Sequence, residues 1–402
     1  MKSSVAAVLG GASTALAAVR GFNYAAQGQS QANFEASFKT AAGLEGANDF
    51  TSARLYTMIQ EGTINSPISA IPAAIDTQTT LLLGLWASAN QASFDNEIAA
   101  LKSAISQYGS DFADLVVGIS VGSEDLYRIS TTGLMNDPAG VGQAPDVLTN
   151  YIGQVRTAIQ GTALSSAPVG HVDTWNAFVN GSNSAVIAAC DFLGLDEYPY
   201  YQTTDDNTID NAKSLFFEAY DKVAAVAGGA QIWVTEAGWP TSGPESNEAV
   251  ASVDDAEIFW QDVACELENR GIDFWWYILE DAGASPSFGV SQNGKPLYNL
   301  ACNGTSSSSS NSTTTSGSSN STSTASKNST ASATKSATGT ATGISGATAS
   351  ATSSGSRSGS SAASGTGSSS TASVSAYGSG AGKLEGGIAA IVFAAVMAAF
   401  AL

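Results

Sequence analysis

Two glutamates close apolar, strand-like runs far apart in the chain. Glu124 ends Val117-Gly-Ile-Ser-Val-Gly-Ser-Glu124, and Glu236 ends Trp233-Val-Thr-Glu236, followed by Ala-Gly-Trp-Pro240. A single strand-end glutamate also reads as a surface ion-pair partner. Two of them on apolar runs read as carboxyls that meet across one site. Cleavage of a glycosidic bond needs such a pair: one acid stays protonated for the leaving oxygen, and one carboxylate attacks the anomeric carbon. A separation of about 5–5.5 Å gives retention through a covalent intermediate. Burial and the partner's charge would raise the pKa of the acid. The sole histidine, His171, leaves no plausible Ser-His-Asp set and no His/Cys metal cluster. It reads as a satisfied interior residue. No metal or organic cofactor is expected, because two carboxyls suffice.

The elements that must position these residues are legible as a repeating pattern. Eight segments are rich in β-branched, aromatic or aliphatic residues: Arg20–Ala25, Ala53–Thr57, Thr80–Ala87, Leu115–Glu124, Pro168–Trp175, Asp191–Tyr200, Ile232–Trp239 and Asp273–Asp281. Several are continuous apolar runs, which imply burial on both faces, as in a parallel sheet. Between them lie segments of helical period, such as Phe94, Ile98, Leu101 and Ile105. Strand then helix, eight times in sequence, predicts an α/β fold of the (β/α)8 TIM-barrel type. A doubly wound open sheet is the alternative, and the chain has no Gly-rich phosphate turn to support it. A barrel keeps its chemistry at the carboxyl ends of its strands. Those ends carry Tyr24, Tyr56, Trp86, Glu124, Trp175, Tyr198, Glu236, Trp239, Glu280 and Asp281. Carboxylates among aromatic faces suit sugar recognition. Trp175 and Trp239 are expected to stack on sugar rings, and Trp276 to lie in the core. Arg54 either orients a carboxylate or pairs inside the barrel.

The stretch Trp233-Val-Thr-Glu-Ala-Gly-Trp-Pro-Thr-Ser-Gly243 resembles the signature of glycoside hydrolase family 17, the β-1,3-glucanases of plants and fungi. Ala53-Arg-Leu-Tyr56, Leu81-Leu-Leu-Gly84, Val121-Gly-Ser-Glu124, Glu197-Tyr-Pro-Tyr200, Phe288-Gly-Val and Pro296-Leu-Tyr298 agree with it along residues 20–300. The resemblance implies cleavage of internal β-1,3-glucosidic bonds, with Glu236 as nucleophile and Glu124 as acid/base. It implies Tyr198 as a hydrogen-bond partner of the nucleophile and Glu280 as a supporting carboxylate. Tyr24, Tyr56, Trp175 and Trp239 complete the expected substrate-binding set. Related barrels carry Asn before the acid/base, where this chain has Ser123, which weakens the expected contact to the sugar 2-hydroxyl.

The two ends of the chain carry other signals. Residues 1–18, with an apolar run and Ala15-Leu16-Ala17, read as a secretory signal peptide. Residues 19–302 form the catalytic domain. Residues 303–380, almost wholly Ser, Thr, Gly and Ala, read as a disordered, glycosylated stalk. Residues 381–402 read as a glycosylphosphatidylinositol (GPI) anchor signal to be removed. Asn180, Asn303, Asn311, Asn320 and Asn328 are N-glycosylation acceptors. These features predict an extracellular protein at the cell membrane and wall. Its partners would be β-1,3-glucan and, through a GPI lipid, the membrane. A monomer is expected. The net charge of −20 excludes nucleic acid as a partner. Of the three cysteines, Cys190 reads as a buried apolar residue, and we pair Cys265 with Cys302.

Overall fold

The computed structural model describes residues 18–302, apart from Asn48 and Ala282. The expected signal peptide, stalk, anchor signal and four of the five glycosylation acceptors lie outside the described residues. Eight strands close into a parallel barrel in sequence order. They are β1 (Arg20–Tyr24), β2 (Ser52–Leu55), β3 (Thr80–Leu85), β4 (Val116–Ser123), β5 (Val169–Thr174), β6 (Phe192–Glu197), β7 (Gln231–Ala237) and β8 (Phe274–Trp276). All eight fall inside the segments expected from sequence, or within one residue of them. The observed strands are shorter at their carboxyl ends, because the chain leaves the sheet there to build the rim.

The main outer helices are α1 (Gln31–Ala42), α2 (Ala70–Thr77) and α3 (Gln91–Ala113), then the short α4 (Asp125–Arg128) and α5 (Thr131–Asn136). They continue with α6 (Pro145–Ile159), α7 (Trp175–Phe178), α8 (Ser184–Ala189), α9 (Ile209–Val226), α10 (Val253–Phe259) and α11 (Cys265–Arg270). Side-chain caps fix several starts: Ser30 accepts from Asn33 N–H, Asn90 from Ser93 N–H, and Ser252 from Asp255 N–H. A small antiparallel hairpin, β9 (Ser291–Gln292) and β10 (Lys295–Pro296), follows the barrel. The sequence reading did not anticipate it.

The pleat sends alternate side chains inward and outward. Inside, Leu82, Phe192, Trp233 and Trp275 form a buried cluster towards the amino ends of the strands. Phe192 and Trp233 stack with centroids 3.9 Å apart. Such bulk leaves no room for side chains opposite: a Cβ on Gly118 would come within 2.7 Å of the Trp233 ring, and one on Gly170 within 2.8 Å of the Phe192 ring. The glycines in these strands therefore complement the aromatics. Outside the barrel, Phe22, Phe50 and Trp260 pack in the layer between strands and helices. Cys265 and Cys302 form a disulfide that ties the end of the domain to α11. Cys190 is a free thiol, and burial pushes its pKa up to about 12.

Candidate active site

Above the aromatic floor the barrel interior becomes polar and charged. Arg54 on β2 is fully buried and points inward. Its Nη1 donates to Glu236 Oε1 at 2.6 Å and to Asn23 Oδ1 at 2.7 Å. Its Nη2 donates to Ser123 Oγ at 3.0 Å. One guanidinium thus reaches the β7 glutamate and the residue preceding Glu124, and the charges of Glu236 and Arg54 both act on the Glu124 carboxyl, so the two glutamates share one bowl. Of the two roles left open for Arg54, orienting a carboxylate is the one seen. Ser123, in place of the expected Asn, receives the other arm of that fork.

Glu236 accepts two more hydrogen bonds, from Tyr56 Oη to Oε1 at 2.7 Å and from Tyr198 Oη to Oε2 at 2.8 Å. Three donors on one carboxyl match an ionised carboxylate, which can only accept. Tyr56 lies just past β2 and Tyr198 just past β6, each two residues from an inward-facing side chain, Arg54 and Asp196. Tyr56 also lies under the Arg54 guanidinium, 4.6 Å from its ring centroid.

Glu124 is in a different environment. It is buried, and Arg128 Nη2 is its hydrogen-bond partner at 3.4 Å. Burial pushes its pKa up to about 8; Arg128 pulls it down, while Glu236 and Asp173 push it further up. Its backbone adopts the left-handed conformation, φ 58°, at the junction of β4 and α4. That conformation is costly for a residue with a Cβ and is typical of functional sites. Beneath the pair, Asp196 is fully buried, with Oδ1 accepting from Thr235 Oγ1 at 2.6 Å and Oδ2 3.9 Å from Arg54. Burial, then Glu236, holds its carboxyl well above the usual range.

Asn23, Arg128, Asp196 and Tyr277 were not singled out from sequence as part of the site. The Tyr277 hydroxyl has its pKa raised by burial first and then by the charges of Glu236 and other carboxylates, Glu124 included. Arg128 carried one legible signal, its position four residues after Glu124.

Four expected substrate contacts are corrected by their placement. Tyr24 points outward against Phe38 of α1, ring centroids 5.0 Å apart, because inward-facing Asn23 precedes it. Trp175 starts α7 and packs against the outer cluster of Phe178, Leu193, Leu195 and Val223, with Lys222 Nζ 4.4 Å from its ring centroid. Trp239 is buried behind the barrel beside Tyr200 and Phe259, and its Nε1 donates to Val250 O. Glu280 is exposed, and its Oε1 accepts from Gly294 N–H at 2.7 Å, bracing the β9–β10 hairpin. Trp276 lies in the core as expected, and so does His171. Trp86, just past β3, is part-buried with the Arg128 guanidinium 5.0 Å from its ring centroid. Asn180 is exposed, its Oδ1 accepting from Ser182.

Residues 21–291 match the BtgE/BtgC glycoside hydrolase domain. The chain belongs to this family. Among curated relatives, a protein named probable glucan endo-1,3-beta-glucosidase from Aspergillus fumigatus is 56% identical over 306 residues, covering 73% of this chain and 67% of that one. A protein of the same name from Emericella nidulans is 54% identical over 320 residues, covering 77% and 68%. Among solved structures, a glycoside hydrolase family 17 beta-1,3-glucanosyltransferase from Rhizomucor miehei aligns with a TM-score of 0.56 at 25% identity. It covers 70% of this chain and 98% of that one. The resemblance to glycoside hydrolase family 17 read from the motifs is borne out, and so is the (β/α)8 barrel.

Proposed function

We propose that this enzyme cleaves internal β-1,3-glucosidic bonds of glucan with retention of configuration. The observation that carries this reading is the contrast between two buried carboxyls in one bowl. Glu236 is surrounded by Arg54, Tyr56 and Tyr198 as an anion would be. Glu124 is desolvated, with its pKa raised to about 8, and so keeps its proton at neutral and acidic pH. Environments that split two carboxyls in this way assign acid and nucleophile.

In the first step Glu236 attacks the anomeric carbon while Glu124 gives its proton to the departing glycosidic oxygen. A covalent glycosyl-enzyme and a shortened glucan result. In the second step Glu124, now a carboxylate paired with Arg128, takes a proton from water. The water oxygen displaces Glu236 from the anomeric carbon. Tyr56 and Tyr198 guide the nucleophile's oxygens, and Arg54 meets their charge as it is lost and regained. The part-buried Trp86 is the aromatic face we assign to the sugar. The relatives' names support β-1,3-glucan as substrate.

Glu124→Gln should lower activity on laminarin by roughly 10²–10⁴-fold, the usual worth of a general acid. Glu236→Gln should abolish it. Nuclear magnetic resonance of the first products should show the β-anomer. Initial release of the α-anomer would sink the retaining mechanism. The glucanosyltransferase among the structural relatives supports a second reading, in which a sugar hydroxyl replaces water. Incubation with laminari-oligosaccharides separates the two, since transfer yields products longer than the substrate.

The terminal segments support a place at the outer cell surface, held by a GPI lipid on a glycosylated stalk, where wall glucan is within reach. Release from intact cells by phosphatidylinositol-specific phospholipase C is the expected behaviour. Retention after that treatment would count against the lipid tether.

A further inference from the structure

His171, the only histidine in the chain, is fully buried on β5 behind Glu124. Its Nδ1 lies 2.7 Å from Val121 O, and its Nε2 lies 3.0 Å from Asp173 Oδ2. A carbonyl oxygen has no proton to give, so Nδ1 must donate. The Asp173 carboxyl already accepts from three backbone N–H groups, those of Leu126 at 2.9 Å, Tyr127 at 3.3 Å and Thr174 at 2.9 Å. Three N–H donors match an ionised carboxyl, which only accepts, so we take Nε2 as a donor as well. A ring that donates from both nitrogens is an imidazolium.

The two acceptors tie the ring to both sides of the acid/base residue: to Val121 before it and, through Asp173, to Leu126 and Tyr127 after it. Val121 sits in a bulge, where β4 takes three steps from Ser120 to Ser123 against two on β5. A bulge leaves a backbone group without its ladder partner, and His171 supplies one to the Val121 carbonyl. Asp173, on the other side, fixes the first turn of α4 at Leu126 and Tyr127. Glu124 stands between bulge and helix in its left-handed conformation.

We propose that His171 is a permanently charged positioning residue that rivets the β4 bulge to the start of α4 and so holds Glu124 in its strained, acid-competent pose. This rests on reading Glu124 as the acid/base; the charge on the ring does not. The groups facing the ring are Asp173 on its own strand, Asp125 on α4, the Val121 carbonyl on β4 and the ring of Phe178 on α7, while the Cys190 thiol after α8 meets the His171 backbone. Burial pulls the histidine pKa down, but Asp173 and then Asp125 outweigh it, and the net direction is up. The pocket thus trades hydration for an internal ion pair.

Because there is one histidine, ring-¹⁵N labelling of the full chain reports on one imidazole. At pH 7 it should show two ring N–H groups. A bare ring nitrogen at pH 6–7 would overturn the charge assignment. His171→Gln should lower kcat on laminarin at least tenfold with KM within about twofold. The same variant should regain near-normal kcat/KM on a 2,4-dinitrophenyl β-laminarioside, because that ratio reports the first step and this leaving group needs no proton. Equal loss on both substrates would mean general damage and overturn the positioning role. Glu124→Gln run alongside keeps the two readings apart: if it shows no such dependence on leaving group, the acid/base assignment fails, while the spectrum still decides the charge on His171.

Discussion

Glu124 is held between opposing influences. Burial and the negative charges of Glu236 and Asp173 favour its protonated form, and Arg128 favours its ionised form. The double role of an acid/base needs both influences, because the residue must hold a proton in one step and release it in another. The sign of the pH dependence follows. The protonated form is the active one in the free enzyme, so kcat/KM should fall as pH rises through about 8. Arg128→Gln removes a cation from beside the carboxyl. Ionisation then becomes harder, the pKa rises, and the alkaline limb moves to higher pH. A kcat/KM profile on a laminari-oligosaccharide from pH 4 to 10 checks both statements. A limb that moves down in the variant would contradict the role given to Arg128.

At the scale of the strand, one residue of parity decides what reaches substrate. The eight strands, the two glutamates and the partner Tyr198 were legible because apolar runs and a long specific motif carry them. Arg54 and Tyr56 were legible as candidates, with Arg54 left between two roles. Tyr24, Trp175 and Trp239 were misplaced because a position near a strand end does not say which way the side chain points. The pleat does. Arg54 faces inward, so Tyr56 does too, whereas Tyr24 follows inward Asn23 and so faces out. Trp239 lies beyond the regular strand, where alternation gives no guidance, and it turns into the helix layer. Glu280 was misread for another reason: a hairpin that leaves little trace in the sequence takes up its carboxylate. These placements predict opposite phenotypes for two tryptophans. Trp239→Ala removes a fully buried ring and should cost about 3–5 kcal/mol of stability, seen in denaturant melts, with KM little changed in the folded fraction. Trp86→Ala should leave the melt nearly unaltered and raise KM for laminari-oligosaccharides. The reverse pattern would show that the assignment of faces is wrong.

At the scale of the whole domain, the strand ladder closes the barrel and one covalent tie secures the chain after it. The Cys265–Cys302 disulfide closes a segment with a sequence separation of 37. In the chain-entropy picture such a loop contributes about 4 kcal/mol by restricting the unfolded chain. Cys302→Ser should lower Tm by on the order of 10 °C, while turnover at 25 °C stays near that of the parent. Calorimetry beside an activity assay checks this, and an unchanged Tm would leave the tie without a stabilising role. The floor of Leu82, Phe192, Trp233 and Trp275 has a consequence for how a polymer is handled. The barrel is stoppered at its lower end, so a polysaccharide cannot thread through it like a cable through a pulley. A strand of glucan must drape over the rim, dip one linkage into the bowl, and lift out on the same side. Nothing in that geometry demands a free chain terminus, and a long, cross-linked fibre can be cut wherever it happens to touch.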